Sequence, residues 1–472
     1  MKNTTADKWH THLMLALALC GCGLAGCALI KTPVPGLPKS VPEQWAHPLA
    51  QEANAIKPDL YSWWTAFADP QLNELVKLAI RQNLTIAQAQ DRIRRARIQL
   101  GHAGDQFLPQ LHAHAQPNEA ISARDTYFQY GLDATWEISL FGRKESVMKL
   151  ARAQIAANEA EAQATQVSVV AEVVRSYIEL RTSQQQQQLL EQQAQLTQAR
   201  VRLLGIRQQL GIGDAQELAT ANGDTLLVKI NLSKSRQMAE SAAQRLALLL
   251  GQPAAPAEWQ NTAAQPQLGS YGFDQLPADM VRTRPEIKAA EAAVLQATGD
   301  LGVAKAEVYP YLSLGTAYLY SANITNNYSL DGASHSTPLI GPTIDVPLLD
   351  WGRRRAAVRV QRAALDASLL AYRESVLEAL AEVETALSSL QAQQQILATT
   401  QTNTTLRERE LTRIQRMQQL GFASELDAIN GKQQNVEAAL SLLEAHASHD
   451  LAFVALYKSL GGAPLPEDGG QH

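Results

Sequence analysis

The pattern of apolar and polar positions divides the chain into long helical stretches and a few short stretches that alternate strictly. Residues 144–210 contain no proline, and at 1.5 Å per residue a helix of that length extends about 100 Å. Leucine recurs at every seventh position, at Leu189, Leu196, Leu203 and Leu210. Sustained heptads of this kind predict a left-handed coiled-coil seam.

The second half of the chain carries a matching heptad register from Leu369 to Leu411, with Thr404 as the one gap. Glutamine-rich runs at residues 184–188 and 391–395 face away from the predicted seam. These runs suit either a solvated outer face or the lining of a water-filled interior. Because many structural proteins contain long coils, the heptads alone do not identify a function.

Residues 106–141 and 309–351 differ from the rest, because apolar and polar side chains alternate there with a period of two. The alternation is clearest from Phe128 to Ile138, and it predicts a strand with one apolar and one polar face. In the second half, the alternation places Ile340, Ile344, Val346 and Leu348 on one apolar face. Strands of about 9 to 11 residues with one apolar face are what a transmembrane β-barrel requires. A soluble β-hairpin domain is the alternative interpretation.

Four strands are too few to close a barrel, since the smallest membrane barrels have about eight. An open sheet edge does not occur in lipid, because its N–H and C=O groups would have no hydrogen-bond partner there. If these strands span a membrane, several chains must therefore contribute to one barrel.

The chain contains an internal duplication. The segment Leu140-Phe141-Gly142-Arg143 matches Asp350-Trp351-Gly352-Arg353, and Gln209-Leu210-Gly211 matches Gln419-Leu420-Gly421. The landmarks keep the same order in both halves, which is typical of repeat architectures. The duplication predicts a first repeat over 61–251, a linker over 252–270, a second repeat over 271–461 and a C-terminal tail over 462–472.

The N-terminus has the features of a secretory signal, with Lys2 and Lys8 ahead of an apolar stretch. The segment Leu24-Ala25-Gly26-Cys27 resembles a bacterial lipobox. We therefore predict a signal peptide over 1–26, acylation of Cys27 and a proline-rich extended tether over 27–60. Ala28 follows Cys27, so the acidic signal that retains some bacterial lipoproteins in the inner membrane is absent. The outer membrane is therefore the favoured destination. An ordinary signal peptide with an incidental cysteine is the alternative.

Composition and motifs exclude several classes of function. The formal net charge of −5 argues against a broad nucleic-acid interface. The sequence has no phosphate-binding loop, GxSxG elbow or HExxH motif, so we predict neither an enzyme nor a bound cofactor.

His112 and His114 share a strand face, and a polar pair facing a lumen is favoured over a metal site. His446 and His449 lie one helical turn apart, and structural or exposed roles are favoured for them.

The run Trp63-Trp64-Thr65-Ala66-Phe67-Ala68-Asp69-Pro70 resembles the N-terminal signature of outer-membrane efflux lipoproteins. With the lipobox, the duplication and the glycine-containing helix breaks, the chain is similar to the TolC/OprM-type outer membrane factors. It resembles in particular the lipoprotein branch that is paired with resistance-nodulation-division pumps.

The resemblance implies a mainly α-helical fold with a transmembrane β-barrel portion. Long coiled-coil helices would form a periplasmic α-barrel, and four strands per chain would give a 12-stranded barrel in a homotrimer. The implied partners are a periplasmic adaptor protein, an inner-membrane pump and outer membrane lipid. The implied function is a passive exit duct for drugs or other small toxic compounds.

The resemblance also implies two sites. Residues at the two helix breaks would form periplasmic tips that contact the adaptor: Ile212, Gly213, Leu420 and Gly421. Asp427 would face the closed periplasmic aperture, where three copies form a ring. Asn430 would occupy a gate position at which many members have a second Asp. Asp427 and Asn430 are therefore the two residues assigned to the gate. Gln418 and Ala423 occupy positions where some members carry the Tyr and Arg that lock the closed state.

Two alternatives remain open at this point. One is the exit channel of a type I protein secretion system, which has the same fold. The other is a coiled-coil lipoprotein spacer without a pore, for which alternating strand faces have no use. The lipobox and the tryptophan-rich start favour efflux.

Overall fold

A computed structural model of the protein describes Trp45 and residues 58–119, 126–269, 271, 284–323 and 335–464. The predicted signal peptide, Cys27 and most of the predicted tether lie outside these residues. Within the described ranges, no helix combines the length and the apolarity needed to cross a membrane.

The order helix, two strands, long helix and shorter helix occurs twice among the described residues, and the first half begins with one additional helix. The helices of the first half are α1 (Pro70–Gln82), α2 (Leu84–His102), α3 (Arg143–Gln209) and α4 (Ala215–Leu249). Those of the second half are α5 (Pro285–Ala306), α6 (Arg353–Gln419) and α7 (Glu425–Ser459). The strands are β1 (Gln110–Glu119), β2 (Thr126–Ile138), β3 (Tyr311–Asn323) and β4 (His335–Asp345). The helices α3 and α6 both contain 67 residues, and α4 and α7 both contain 35.

The tryptophan-rich run forms a short 3₁₀-helix, Trp63–Phe67, and the start of α1. Asp69 is the N-cap of α1, because its Oδ1 accepts hydrogen bonds from the backbone N–H groups of Gln71 and Leu72 at 2.8 and 3.2 Å. Pro70 occupies the first helical position, where its missing N–H costs nothing. Tyr177 donates a hydrogen bond to Asp69 Oδ2 at 2.8 Å, which connects this cap to α3.

The strands belong to a compact unit that contains Ile93–Asn158 and Ala289–Arg373. They form one antiparallel sheet in the order β1-β2-β3-β4, so β1 and β4 are its edges. Leu132 of β2 lies opposite Ala113 of β1 and Tyr318 of β3, which aligns the apolar positions on one face. The predicted alternation is therefore confirmed.

Two expectations about strand β4 need correction. The strand ends at Asp345, so Val346 and Leu348 lie beyond it. Pro347 follows Val346 and cannot donate a ladder hydrogen bond. Leu348 is nevertheless 89 % exposed and extends the apolar surface past the strand end.

The remaining helical segments form a second unit, which contains the described residues of Lys39–Arg92, Glu159–Lys288 and Glu374–His472. Its core is an aromatic cluster around Trp63, which is fully buried. Trp63 stacks on Tyr457 with ring centroids 5.6 Å apart, and its Nε1 donates to the Gly462 carbonyl at 2.9 Å. Phe67 and Phe453 meet edge-to-face at 5.7 Å in the same cluster.

The heptad register of α3 differs from the expectation by one position. Leu190, Thr197 and Leu204 are buried, whereas Leu189 and Leu203 are half-buried and Leu210 is exposed. In α6 the predicted positions Val376, Val383 and Leu390 are buried. Thr404, the predicted gap, is also buried.

Thr404 and Gln184 show how polar side chains enter the core. The hydroxyl of Thr404 donates towards the Thr400 and Ala438 carbonyls at 3.0 and 3.3 Å. Gln184 was expected on an outer or lumen-lining face, but it is buried and donates to the Trp259 carbonyl at 2.6 Å. Both polar groups are satisfied by backbone oxygens, which makes their burial inexpensive.

Candidate functional site

The first helix tip is a glycine-terminated turn between α3 and α4. Gly211 has φ +74°, a left-handed conformation that favours glycine. Its N–H donates to the Gln208 carbonyl at 3.0 Å, and the N–H of Ile212 donates to the Arg207 carbonyl at 3.0 Å. This is a Schellman motif, which satisfies the last carbonyls of α3.

The second tip, between α6 and α7, repeats the same turn. Gly421 has φ +78°, and the N–H of Phe422 donates to the Met417 carbonyl at 2.8 Å. Gly421 is therefore the counterpart of Gly211, and the first break begins earlier than Ile212-Gly213. The sequence alignment of the repeats already contained this pairing, so Gly211 and Phe422 join the candidate tip residues.

Gly213 has a separate steric role. A Cβ at this position would lie 2.6 Å from Gln208 N and 2.8 Å from Arg207 C. Only glycine permits this close approach of two backbone segments. The second tip has Ala423 at the corresponding position, so the two turns are alike in hydrogen bonding and different in packing.

Both tips expose large apolar side chains. The exposed members are Ile206, Leu210, Ile212, Leu420 and Phe422, and Phe422 is 77 % exposed. Clustered exposed apolar residues at a turn are unusual unless another surface covers them. The predicted tip residues Ile212, Gly213, Leu420 and Gly421 therefore lie at or beside two exposed apolar turns.

Asp427 occupies the first turn of α7. Ser424 is the N-cap of this helix, and its hydroxyl accepts a hydrogen bond from the Asp427 N–H at 3.1 Å. In return, Asp427 Oδ2 accepts hydrogen bonds from the N–H and the hydroxyl of Ser424, at 2.8 and 2.7 Å. This is a capping box. These hydrogen bonds hold the pKa of the Asp427 carboxyl below its usual value. The carboxylate is solvent-exposed and ionised at neutral pH, which suits a gate charge and also a cap.

The other predicted gate residues lie close to Asp427 in sequence. Asn430 follows one helical turn later and is half-buried, as are Gln418 and Ala423. Counted from the start of each helix, the position of Asp427 in α7 corresponds to Glu217 in α4, which lies 3.8 Å from Arg200.

Arg200 is a residue that motif analysis missed. It is mostly buried on α3 and lies 3.4 Å from Asp224 of α4 as well as near Glu217. The first tip is thus connected by a cross-helix ion network. The second tip uses a neutral partner, because Arg407 of α6 donates to Gln434 of α7 at 3.1 Å. No short motif marks these pairs, because the partners lie on different helices and Arg200 and Arg407 do not occupy corresponding positions of the two repeats.

Two polar side-chain contacts involve the polar face of the sheet. His114 Nδ1 lies 3.0 Å from Asp133 Oδ1, and Arg143 donates to Glu137 at 2.8 Å. His112 is exposed on the same face. Within the described residues, no group of three or more His, Cys, Asp and Glu side chains is arranged to hold a metal ion.

The second histidine pair has a structural environment. His449 is buried, with Nε2 3.0 Å from Tyr271 Oη and Nδ1 3.4 Å from Asp450 Oδ1, and Gln394 donates to Tyr271 Oη at 3.3 Å. Burial raises the pKa of Asp450 and of Tyr271. Burial also lowers the pKa of His446. This network fastens Tyr271 to α7.

Comparison with known proteins relates this chain to a family of outer membrane proteins. The family model described as "Outer membrane efflux protein" matches residues 75–252 and 276–462. The pyoverdine export outer membrane protein OpmQ of Pseudomonas putida is 27 % identical to this chain, and the alignment covers 96 % of this chain and 97 % of OpmQ. The cation efflux system protein CusC of Escherichia coli K12 is 25 % identical, and the alignment covers 95 % of this chain and 98 % of CusC.

A solved structure agrees with this result. The outer-membrane channel OprN superimposes with a TM-score of 0.78 at 25 % identity, covering 92 % of this chain and 100 % of that chain. The mainly helical architecture with four strands per chain is thus the fold of outer-membrane channels.

Proposed function

The chain belongs to the outer membrane efflux protein family and is an outer membrane channel for efflux, and on this premise we propose that three copies form one exit duct. Each copy offers a four-stranded sheet with two open edges, β1 and β4. Pairing β4 of one copy with β1 of the next would close a barrel of 12 strands and remove every edge from the lipid. The observation that carries this proposal is the continuous apolar face across all four strands.

In this assembly the apolar face contacts lipid and the polar face lines the bore. The polar face holds His114, Asp133 and Glu137, which suit a water-filled passage. We assign the long helices to a periplasmic continuation of the bore, and Cys27 to a lipid anchor in the outer membrane. The family match favours this duct over both the secretion channel and the pore-free spacer.

The proposed partners follow from the tips. Exposed apolar side chains at both turns, including Leu210 and Phe422, need a covering surface, and we assign that role to a periplasmic adaptor. An inner-membrane pump of the resistance-nodulation-division type would supply energy and select the cargo. The relatives' names include pyoverdine export and cation efflux, so related proteins are named for chemically different solutes. We propose small toxic compounds, including drugs, as cargo here.

We assign the periplasmic gate to Asp427, with Asn430 beside it. Threefold symmetry would bring three copies of the ionised Asp427 carboxylate together, and like charges repel unless a cation intervenes. Such a ring would affect both opening and cation passage. With Asn430 in place of a second acid, one carboxylate per chain carries this effect.

Single-channel recording of the purified protein in a planar lipid bilayer tests both parts of the proposal. The wild-type protein should form pores, and a purified chain that is monomeric and forms none would overturn the duct. Asp427→Asn should raise conductance or antibiotic leak, because it removes charge while its amide oxygen still accepts from Ser424.

Ser424→Ala provides the matched control for the gate. It breaks the capping box and leaves the Asp427 charge in place, so its conductance should resemble that of the wild type. An unchanged record for Asp427→Asn, or equal changes in both variants, would reject Asp427 as the gate charge.

A further inference from the structure

The polar face of β1 places two imidazoles side by side. His112 and His114 are separated by one residue, so both project from the same face of the strand. Across the pair, His112 lies opposite Asp133 and His114 lies opposite Gly131. Gly131 has no side chain, so nothing on the facing position of β2 covers the His114 ring. The ring is 38 % exposed.

The contact with Asp133 orients the His114 ring. Its Nδ1 lies 3.0 Å from Asp133 Oδ1, and an ionised carboxylate can only accept. With Nδ1 facing this carboxylate, Nε2 is the ring nitrogen that can offer its lone pair to a metal ion. Metal-binding histidines almost always have this arrangement, in which the second nitrogen donates to a carboxylate and the ligand nitrogen becomes more basic.

We propose that His112 and His114 bind one divalent transition-metal ion per chain, with Asp133 orienting His114 from the second coordination shell. Imidazole nitrogen suits Zn²⁺, Cu²⁺ and Ni²⁺, whereas Mg²⁺ and Ca²⁺ prefer oxygen. Two protein ligands leave the remaining coordination positions to water. The ion therefore binds reversibly, at an open site and not in a closed structural one.

The second repeat indicates that the fold does not require these histidines. The positions of β3 that correspond to His112 and His114 hold Ser313 and Gly315. A Cβ at Gly315 would meet no heavy atom within 4 Å. Since the same strand forms with small residues, the two imidazoles are not packing elements.

The other histidine pair offers a contrast. Both ring nitrogens of His449 are engaged, by Tyr271 and Asp450. A ring with two occupied nitrogens has no lone pair to offer, so the α7 pair is a suitable negative control. Metal binding at β1 is independent of the proposed function; only its position inside the bore rests on it.

Titration calorimetry with Zn²⁺ tests the site on the full-length protein, purified in detergent without a histidine tag. We expect one Zn²⁺ per chain in the micromolar range and no binding of Mg²⁺. The double variant His112→Ser with His114→Ser should lose this binding. Asp133→Asn should weaken it by about 10- to 100-fold, the usual effect of removing such a carboxylate.

His446→Gln should bind Zn²⁺ like the wild type, and circular dichroism should confirm that every variant is folded. Unchanged Zn²⁺ stoichiometry and affinity in the folded double variant would overturn the proposal. Addition of Zn²⁺ to an open channel in a bilayer should alter the current of the wild type and not of the double variant. Binding without any change in current would support the metal site and contradict its position in the bore.

Discussion

The helices α4 and α7 are counterparts in the two repeats, yet they differ in how much of their surface the chain itself covers. Both contain 35 residues and both follow a glycine turn. The chain buries 16 residues of α7 and only seven of α4. Duplication therefore preserved the length and the turns of the helix while its environment diverged.

Five large apolar side chains are exposed on α4; three of them correspond to polar residues of α7, while Leu226 and Ile230 correspond to the apolar Val436 and Leu440. The large exposed side chains of α4 are Leu226, Leu227, Ile230, Met238 and Leu248. Counted from the start of each helix, Leu227 corresponds to Glu437, Met238 to Ser448 and Leu248 to Lys458. A helix that retains apolar residues on its exposed side is suited to burial by another chain. We infer that α7 stabilises the single chain and that α4 contributes to assembly.

Exchanging residues between the two helices tests this division, and the largest effect is expected in the core. Phe453 of α7 is fully buried and contacts Trp63, Phe67 and Tyr457, whereas its counterpart in α4 is Ala243. Phe453→Ala should lower the free energy of unfolding by about 3 to 5 kcal/mol, because it leaves a cavity. Thermal unfolding followed by circular dichroism measures the loss.

The matched control is Lys458→Leu, which introduces the residue found in α4 at an exposed position of α7. This change should leave the thermal midpoint of the single chain almost unaltered. Equal losses of stability in the two variants would show that α7 has no special role in the core.

The second exchange concerns assembly. Leu227→Glu introduces the Glu437 of α7 into α4 and places a charge on the exposed apolar surface. If another copy buries this surface, an unpaired carboxylate there is costly, and the fraction of trimer should fall strongly. Size-exclusion chromatography with light scattering measures the oligomer, and unchanged helical circular dichroism shows that the chain remains folded. A fully trimeric Leu227→Glu protein would place the interface elsewhere.

The smallest effect is expected at Asp450, whose counterpart in α4 is the exposed Glu240. Burial raises the pKa of Asp450, and the contacts with His449 and His446 oppose that rise only in part. The folded chain therefore holds this proton more tightly than the unfolded chain, so the stability from this group is present at low pH and falls as pH rises through the window between the two pKa values.

Asp450→Asn removes the buried charge, so its thermal midpoint should exceed that of the wild type by a few degrees near neutral pH. The difference should shrink as the pH falls, because the wild-type carboxyl, with its raised pKa, regains its proton before an ordinary aspartate does. A difference that grows on acidification would contradict this assignment, and Glu240→Gln should show no comparable pH dependence.

The sequence predicted the architecture well because its strongest signals are periodic. The alternation from Phe128 to Ile138 appears as β2, and the long stretch from residue 144 appears as one helix. The exact register of α3 was missed because Leu189 and Leu190 are adjacent leucines, and only packing selects which one faces inward.

Single residues were less predictable from the sequence than the architecture. The roles of Gln184 and Arg200 depend on carbonyls and carboxylates distant in sequence, which no local pattern reveals. The capping of α7 was readable in principle, because Ser424 and Asp427 have the spacing of a capping box. The assignment of Asp427 to the gate and of the tips to an adaptor stays a prediction.

The equal lengths of the duplicated helices impose a constraint on how this protein can change. Since α3 and α6 both run for 67 residues before their turns, shortening one by a heptad would displace its turn while leaving the other in place. A partner protein that binds both turns at once would require deletions of equal length in α3 and α6. Evolution, or an engineer, can therefore adjust the reach of this molecule only by editing the gene in two places at once.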